Sequence, residues 1–111
     1  MCTYITERAE IQGSGKGATG WFSLTTVTAA YDHPIHAQAE HTMNIDFTNP
    51  ERGASARVGV ELTTESAVDL VAAVARALEA VPVDLTGVDR QAARDLVAAA
   101  ERVSQTLVVV A

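Results

Sequence analysis

The chain has 111 residues, of which 48% are hydrophobic, and it carries a formal net charge of −6 at pH 7. This length fits one domain with a single core, and the apolar runs are too short to cross a bilayer. Affinity for a phosphate backbone or an anionic membrane comes largely from lysine and arginine, and here eight basic residues face 14 acidic ones. We therefore expect neither nucleic acid nor membrane as a partner. One cysteine and the absence of a secretory pattern at the start predict a cytoplasmic protein.

Alternating apolar and polar residues predict four strands in the first half of the chain. These strands are expected at residues 3–12, 21–31, 42–48 and 56–62, which are rich in β-branched, aromatic and alternating residues. The glycine-rich segment Gly13–Gly20 predicts a flexible turn between the first two strands, or a mobile flap over a site. Short consecutive strands of this kind are typical of an antiparallel meander.

Apolar residues at intervals of three and four predict two helices in the second half. The first begins at Thr63 or Thr64 and ends at Pro82, and the second follows Gly87. Their predicted apolar stripes are Ala67, Leu70, Val71, Val74, Leu78 and Val81 in the first helix, and Val88, Ala92, Leu96, Ala99 and Val103 in the second. Residues 107–110 fit either a last strand or a helical end.

The pattern as a whole predicts one α+β domain over residues 1–111. Residues 1–62 form an antiparallel four-stranded sheet, and residues 63–111 supply two helices that cover one face of it. Such a sheet leaves edges and an open face, so we expect a homodimer.

All three histidines, His33, His36 and His41, lie within nine residues, with Glu40 beside them. Neutral imidazoles suit a divalent transition metal such as zinc or iron, and a carboxylate can complete the ligand set. In a strand His33 and His36 would point to opposite faces, so this metal site requires a turn or loop. Glu40 is alternatively a general base. A polar connector with solvated histidines explains the same residues equally well.

Cys2 and Asp46 are further candidates for chemistry. Cys2 could ligate the metal or act as a nucleophile, although a small residue that opens a strand is the simpler explanation. Asp46, together with Glu61, could act as an acid or base, but strands commonly carry solvated carboxylates on their outer face. The segment Gly13–Gly17 fails the spacing of a phosphate-binding loop.

Short motifs form a recognisable string along the first half of the chain. They are Met1–Glu7, Gly13–Gly17, Gly20–Phe22, Tyr31–Ala37, Glu40–His41 and Asn44–Phe47. Together they resemble DUF6295, a family of small bacterial proteins of unknown function, over roughly residues 1–80. The resemblance implies a bacterial protein and brings no activity, substrate or cofactor. A recurring motif that includes the three histidines and Glu40 fits a site better than a core.

Two functions are open from the sequence. The first is a small metal-binding protein, or a metalloenzyme acting on a small molecule, with His33, His36, His41 and Glu40 as ligands. Glu40, Cys2 and Asp46 are its catalytic candidates. The alternative is a non-enzymatic module that binds a small molecule or forms a dimer, with no metal.

Overall fold

The computed structural model describes residues 5–110, which form two compact units divided between Thr63 and Thr64. The first unit is a four-stranded antiparallel sheet in the order β1-β2-β3-β4, and the second contains two long helices. The predicted α+β class, with a four-stranded antiparallel sheet and two helices, is confirmed. That both units form one domain stays a prediction.

The strands and helices lie close to their predicted positions. The sheet contains β1 (Ile5–Gly17), β2 (Gly20–Asp32), β3 (Thr42–Thr48) and β4 (Arg57–Leu62), with a 3-10 turn at Pro50–Arg52. The helices are α1 (Thr64–Ala80), the short α2 (Val83–Thr86) and α3 (Arg90–Val110), so residues 107–110 are helical. No helix in this described range is both long and apolar enough to span a membrane.

Most of the glycine-rich segment is strand, so the predicted turn between the first two strands is limited to Ala18 and Thr19. β1 continues to Gly17, which pairs with Gly20, and this leaves only two connecting residues. The mobile flap stays a prediction. Gly20 has a φ of +121°, which favours glycine at the turn. A Cβ atom added at Gly17 would lie 2.9 Å from the Phe22 ring, and one at Gly15 would lie 3.0 Å from Leu24. These glycines make room for apolar side chains of β2 that cross β1.

A β-bulge produces this arrangement. The pairing of β1 with β2 shifts between Glu10 and Gly13, so that two residues of β1 lie opposite one residue of β2. Beyond the shift, Gly13 pairs with Leu24 and Gly15 pairs with Phe22. The bulge therefore sets the glycines opposite the large side chains of β2.

The strand register places apolar and polar side chains on opposite faces of the sheet. Directly paired residues share a face. The apolar face carries the rows Ala29-Ile45-Val60 and Tyr31-Met43-Leu62, and the polar face carries the rows Thr28-Asp46-Gly59 and Ala30-Asn44-Glu61. The predicted alternation of β3 and β4 is confirmed.

The two long helices pack against each other through alanines. Ala72 and Ala75 of α1 and Ala93 and Ala100 of α3 are buried, and an ion pair of 3.0 Å joins Arg94 Nε to Glu79 Oε1. The alanines of this helix–helix contact lie outside the predicted stripes, of which Leu70, Val71, Val74, Leu96 and Val103 expose between 43% and 52% of their surface. Small side chains let helix backbones approach closely, so the alanine faces form the contact.

Candidate functional site

A cavity of about 700 Å³ lies over the polar face of β3 and β4, and we call it the polar cleft. One part of its wall comes from the two strands, with Asn44, Asp46, Arg57, Gly59 and Glu61. The other part comes from the end of β2 and the following loop, with Asp32, His33, Ile35, His36 and Ala37. Its volume falls in the range of small-molecule sites in proteins.

Arg57 and Asp46 form an ion pair inside the polar cleft. Asp46 Oδ1 accepts from Arg57 Nε at 2.8 Å and contacts Arg57 Nη2 at 2.6 Å. A Cβ atom at Gly59 would stand 3.0 Å from Asp46 Oδ1 and 3.1 Å from Arg57 Nη2, so glycine leaves the space for this pair. The Arg57 side chain is 56% exposed, so water screens the pair and its contribution to stability is small.

Glu61 holds the histidine loop, residues 33–41, at the wall of the cleft. Its carboxylate accepts three backbone N–H groups, from Ile35 at 2.6 Å, His36 at 2.9 Å and Ala37 at 2.8 Å. The hydrogen bonds from Ile35 and Ala37, and then the bond from His36 and its charge, lower the pKa of Glu61 from its ordinary value of 4.5. Glu61 is therefore an anion at neutral pH, and its charge orients the loop.

Asn44 ties the same loop to the floor of the cleft. Its Oδ1 accepts from the hydroxyl of Thr42 at 2.5 Å, and its Nδ2 donates to the His33 carbonyl at 3.4 Å. Thr42 is fully buried. Because the Thr42 hydroxyl cannot reach water, it keeps its hydrogen bond to Asn44 Oδ1. This bond fixes the orientation of the Asn44 amide, so that Nδ2 faces the loop.

The histidines are split between two environments. The rings of His33 and His41 lie with centroids 4.3 Å apart, and the His41 ring stacks on Tyr31 at 5.4 Å. His33 Nδ1 lies 3.1 Å from the carbonyl oxygen of Glu40. His33 and His36 both line the polar cleft, and His36 also gives its backbone N–H to Glu61.

The structure brings only part of the predicted metal set together. Within residues 5–110, no group of three His, Cys, Asp or Glu side chains has an arrangement that could hold a metal ion. His33 and His41 are neighbours, whereas the Glu40 side chain is exposed and does not line the cleft. The metal site therefore stays a prediction, without support from this range.

Of the two catalytic candidates that the structure describes, only Asp46 lies in the polar cleft. Asp46 lies in the polar cleft beside Arg57, Glu40 does not line the cleft, and Cys2 falls outside the described residues. Sequence reasoning missed Arg57 and did not foresee that Glu61 anchors the loop, whereas the polar face that carries Asn44 and Asp46 was expected to supply orienting groups. The available signal was the polar row of β4, in which Arg57, Gly59 and Glu61 share one face.

The sheet and the cleft define a small α+β protein with a candidate ligand site on the polar face of an antiparallel meander. The chain belongs to DUF6295, a family of unknown function whose model matches residues 1–87. This match spans the whole sheet and α1 and confirms the family resemblance. Comparison with the curated proteins gave no match, and comparison with the solved structures gave none.

Proposed function

We propose that the protein is a small-molecule-binding module whose ligand occupies the polar cleft. The observation that carries this proposal is a cavity of about 700 Å³ with a hydrogen-bonded loop on one side and charged strand residues on the other. Ligand sites combine such concavity with a few polar groups of fixed orientation. Here Glu61 and Asn44 fix the loop, and Arg57 and Asp46 offer charge to a ligand.

The charge of the cleft favours a ligand with a positively charged group. Three acidic residues, Asp32, Asp46 and Glu61, line the cleft together with one arginine and two histidines. The lowered pKa of Glu61 keeps that carboxylate ionised at neutral pH. Asp46 contacts Arg57 through Oδ1, and in this proposal its Oδ2 accepts from the ammonium group of the ligand. Fields of one sign in a cleft raise the local concentration of opposite charge.

Filling the cleft with a side chain tests this proposal. Gly59→Val would place a branched side chain against Asp46 and Arg57, whereas Gly13→Val projects into open space. The probes are aliphatic amines and carboxylic acids of matched length, and the readout is amide chemical shifts. We expect amines to shift the resonances of Asn44 and Glu61 in the native protein and in Gly13→Val, but not in Gly59→Val.

The outcomes separate the two parts of the proposal. Absence of binding by any probe would contradict the binding function. Binding of acids in preference to amines would contradict only the expected ligand charge. Equal binding to native protein and Gly59→Val would place the site outside the polar cleft.

Metal binding is a second candidate, favoured by the proximity of His33 and His41. Metal-binding histidines commonly use one ring nitrogen on a backbone carbonyl and the other on the metal. His33 Nδ1, at 3.1 Å from the Glu40 carbonyl, fits this arrangement and leaves Nε2 for a zinc or iron ion. The remaining positions would be filled by water or by a bound molecule.

Two measurements on untagged protein, purified without chelator, test the metal proposal. They are elemental analysis and titration with zinc. We expect uptake by the native protein and by His36→Ala, and loss of uptake in the double variant His33→Ala/His41→Ala. Absence of metal uptake by the native protein would contradict the metal proposal. Loss of uptake in His36→Ala would instead favour the full set predicted from the sequence.

A further inference from the structure

The outer edge of β1 has no partner strand within the described residues. β1 is the first strand in the sheet order and pairs only with β2 among the described strands, although a Cβ at its last residue, Gly17, would lie 3.9 Å from the Arg57 carbonyl oxygen of β4. An unpaired edge presents a row of N–H and C=O groups that can accept another strand. We propose that this edge pairs with the same edge of a second copy, antiparallel, about a two-fold axis at Ala9.

Symmetry restricts how two copies of one strand can pair. In an antiparallel ladder, a two-fold axis perpendicular to the sheet passes between a residue and its own equivalent in the other copy. The central residue therefore fixes the whole register, because its neighbours pair across the axis in reverse order. The same axis keeps both apolar faces on one side of the joined sheet.

The charges of β1 select the central residue. An axis at Glu7, Arg8 or Glu10 would place that side chain directly opposite its own equivalent, and like charges in direct pairs are destabilising. An axis at Ala9 instead pairs Arg8 of each copy with Glu10 of the other, so two opposite-charge pairs flank the centre. Of the registers centred on Glu7 to Glu10, this one alone has no repulsive direct pair.

The side chains that would pair in this register are exposed and can contact a second copy. Arg8, Ala9 and Glu10 are all exposed, and neither charge forms an ion pair within the described part of the chain. Ile5, on the same strand, leaves 55% of its surface exposed. The bulge follows Glu10 directly, so the regular ladder around Ala9 is short. We therefore expect a dimer that dissociates on dilution and weakens in high salt.

Charge reversal tests the register. Sedimentation across a dilution series should give a dimer for the native protein and a dimer weakened roughly tenfold for Arg8→Glu or Glu10→Arg, because two repulsive pairs replace two attractive ones. The double variant Arg8→Glu/Glu10→Arg restores both pairs and should recover the native affinity. Arg76→Glu makes the same change in net charge as Arg8→Glu, but on α1, and should leave the dimer unchanged.

Thiol cross-linking locates the axis independently. In a Cys2→Ser background, Ala9→Cys should oxidise to a covalent dimer, because paired strand residues lie within disulfide range. Thr6→Cys lies on the same edge but would place its two thiols about 20 Å apart, and it should remain uncross-linked. A monomer at every concentration, a dimer indifferent to both charge reversals, or cross-linking at Thr6→Cys instead of Ala9→Cys would overturn the proposal.

Discussion

Replacement of Asn49 by alanine should measure how strongly the β3–β4 connection is held to β2. The Asn49 side chain is buried, its Nδ2 donates to the Ser23 carbonyl at 3.0 Å, and its Oδ1 accepts from Glu51 N–H at 3.2 Å. Each hydrogen bond contributes about 1 kcal/mol net, so Asn49→Ala should lower the free energy of unfolding by about 2 kcal/mol. In a domain of this size, that loss lowers Tm by roughly 8–16 °C.

Asn49→Ser divides the effect into its two parts. Serine can still cap the 3-10 turn by accepting from Glu51 N–H, but its side chain is too short to reach the Ser23 carbonyl. It should therefore lose about 1 kcal/mol. Urea and thermal unfolding, followed by circular dichroism and Trp21 fluorescence, give both values. A change below about 0.5 kcal/mol for Asn49→Ala would refute the reasoning, since surface substitutions already reach that size.

Further predictions concern stability at acid pH and the effect of replacing two glycines of β1. The folded pKa of Glu61 is lowered from 4.5, so its stabilising effect is present above that pH and is lost as the pH falls through the lowered pKa. Glu61→Gln should reduce this acid-range loss, as measured by urea unfolding at a series of pH values. Gly17→Ala places a Cβ 2.9 Å from Phe22 and should destabilise by roughly 1–3 kcal/mol. Gly13→Ala meets open space and should be neutral or stabilise by up to about 1 kcal/mol, which the same denaturation assay will show.

The sequence was informative where a local pattern decides structure. Met43, Ile45 and Phe47 alternate without interruption, and the observed β3 has the predicted bounds. Pro82 cannot continue a helix, and α1 ends at Ala80. By contrast, Gly13, Gly15 and Gly17 recur at every second position, which is a strand period, but their composition favoured a turn.

The site depended on register and on backbone groups, and neither is visible in a sequence. Asp46 and Glu61 were named as candidates, but only the pairing of β3 with β4 places them in one cleft. The three bonds to Glu61 come from backbone N–H groups, which every residue type except proline carries. The buried helix faces were missed for another reason: periodicity favoured the larger apolar residues, whereas Ala72 and Ala75 form the packed face.

The strand order has a consequence for how the sheet is made. Every ladder joins strands that follow one another in sequence, so each new strand finds its partner already synthesised. Local pairings of this kind close short loops and fold rapidly. We expect the sheet to assemble on the ribosome, one strand at a time, before α3 has left the exit tunnel. Force profiles of stalled nascent chains should therefore show a folding signal soon after Leu62 emerges, and a signal only after release would contradict this order.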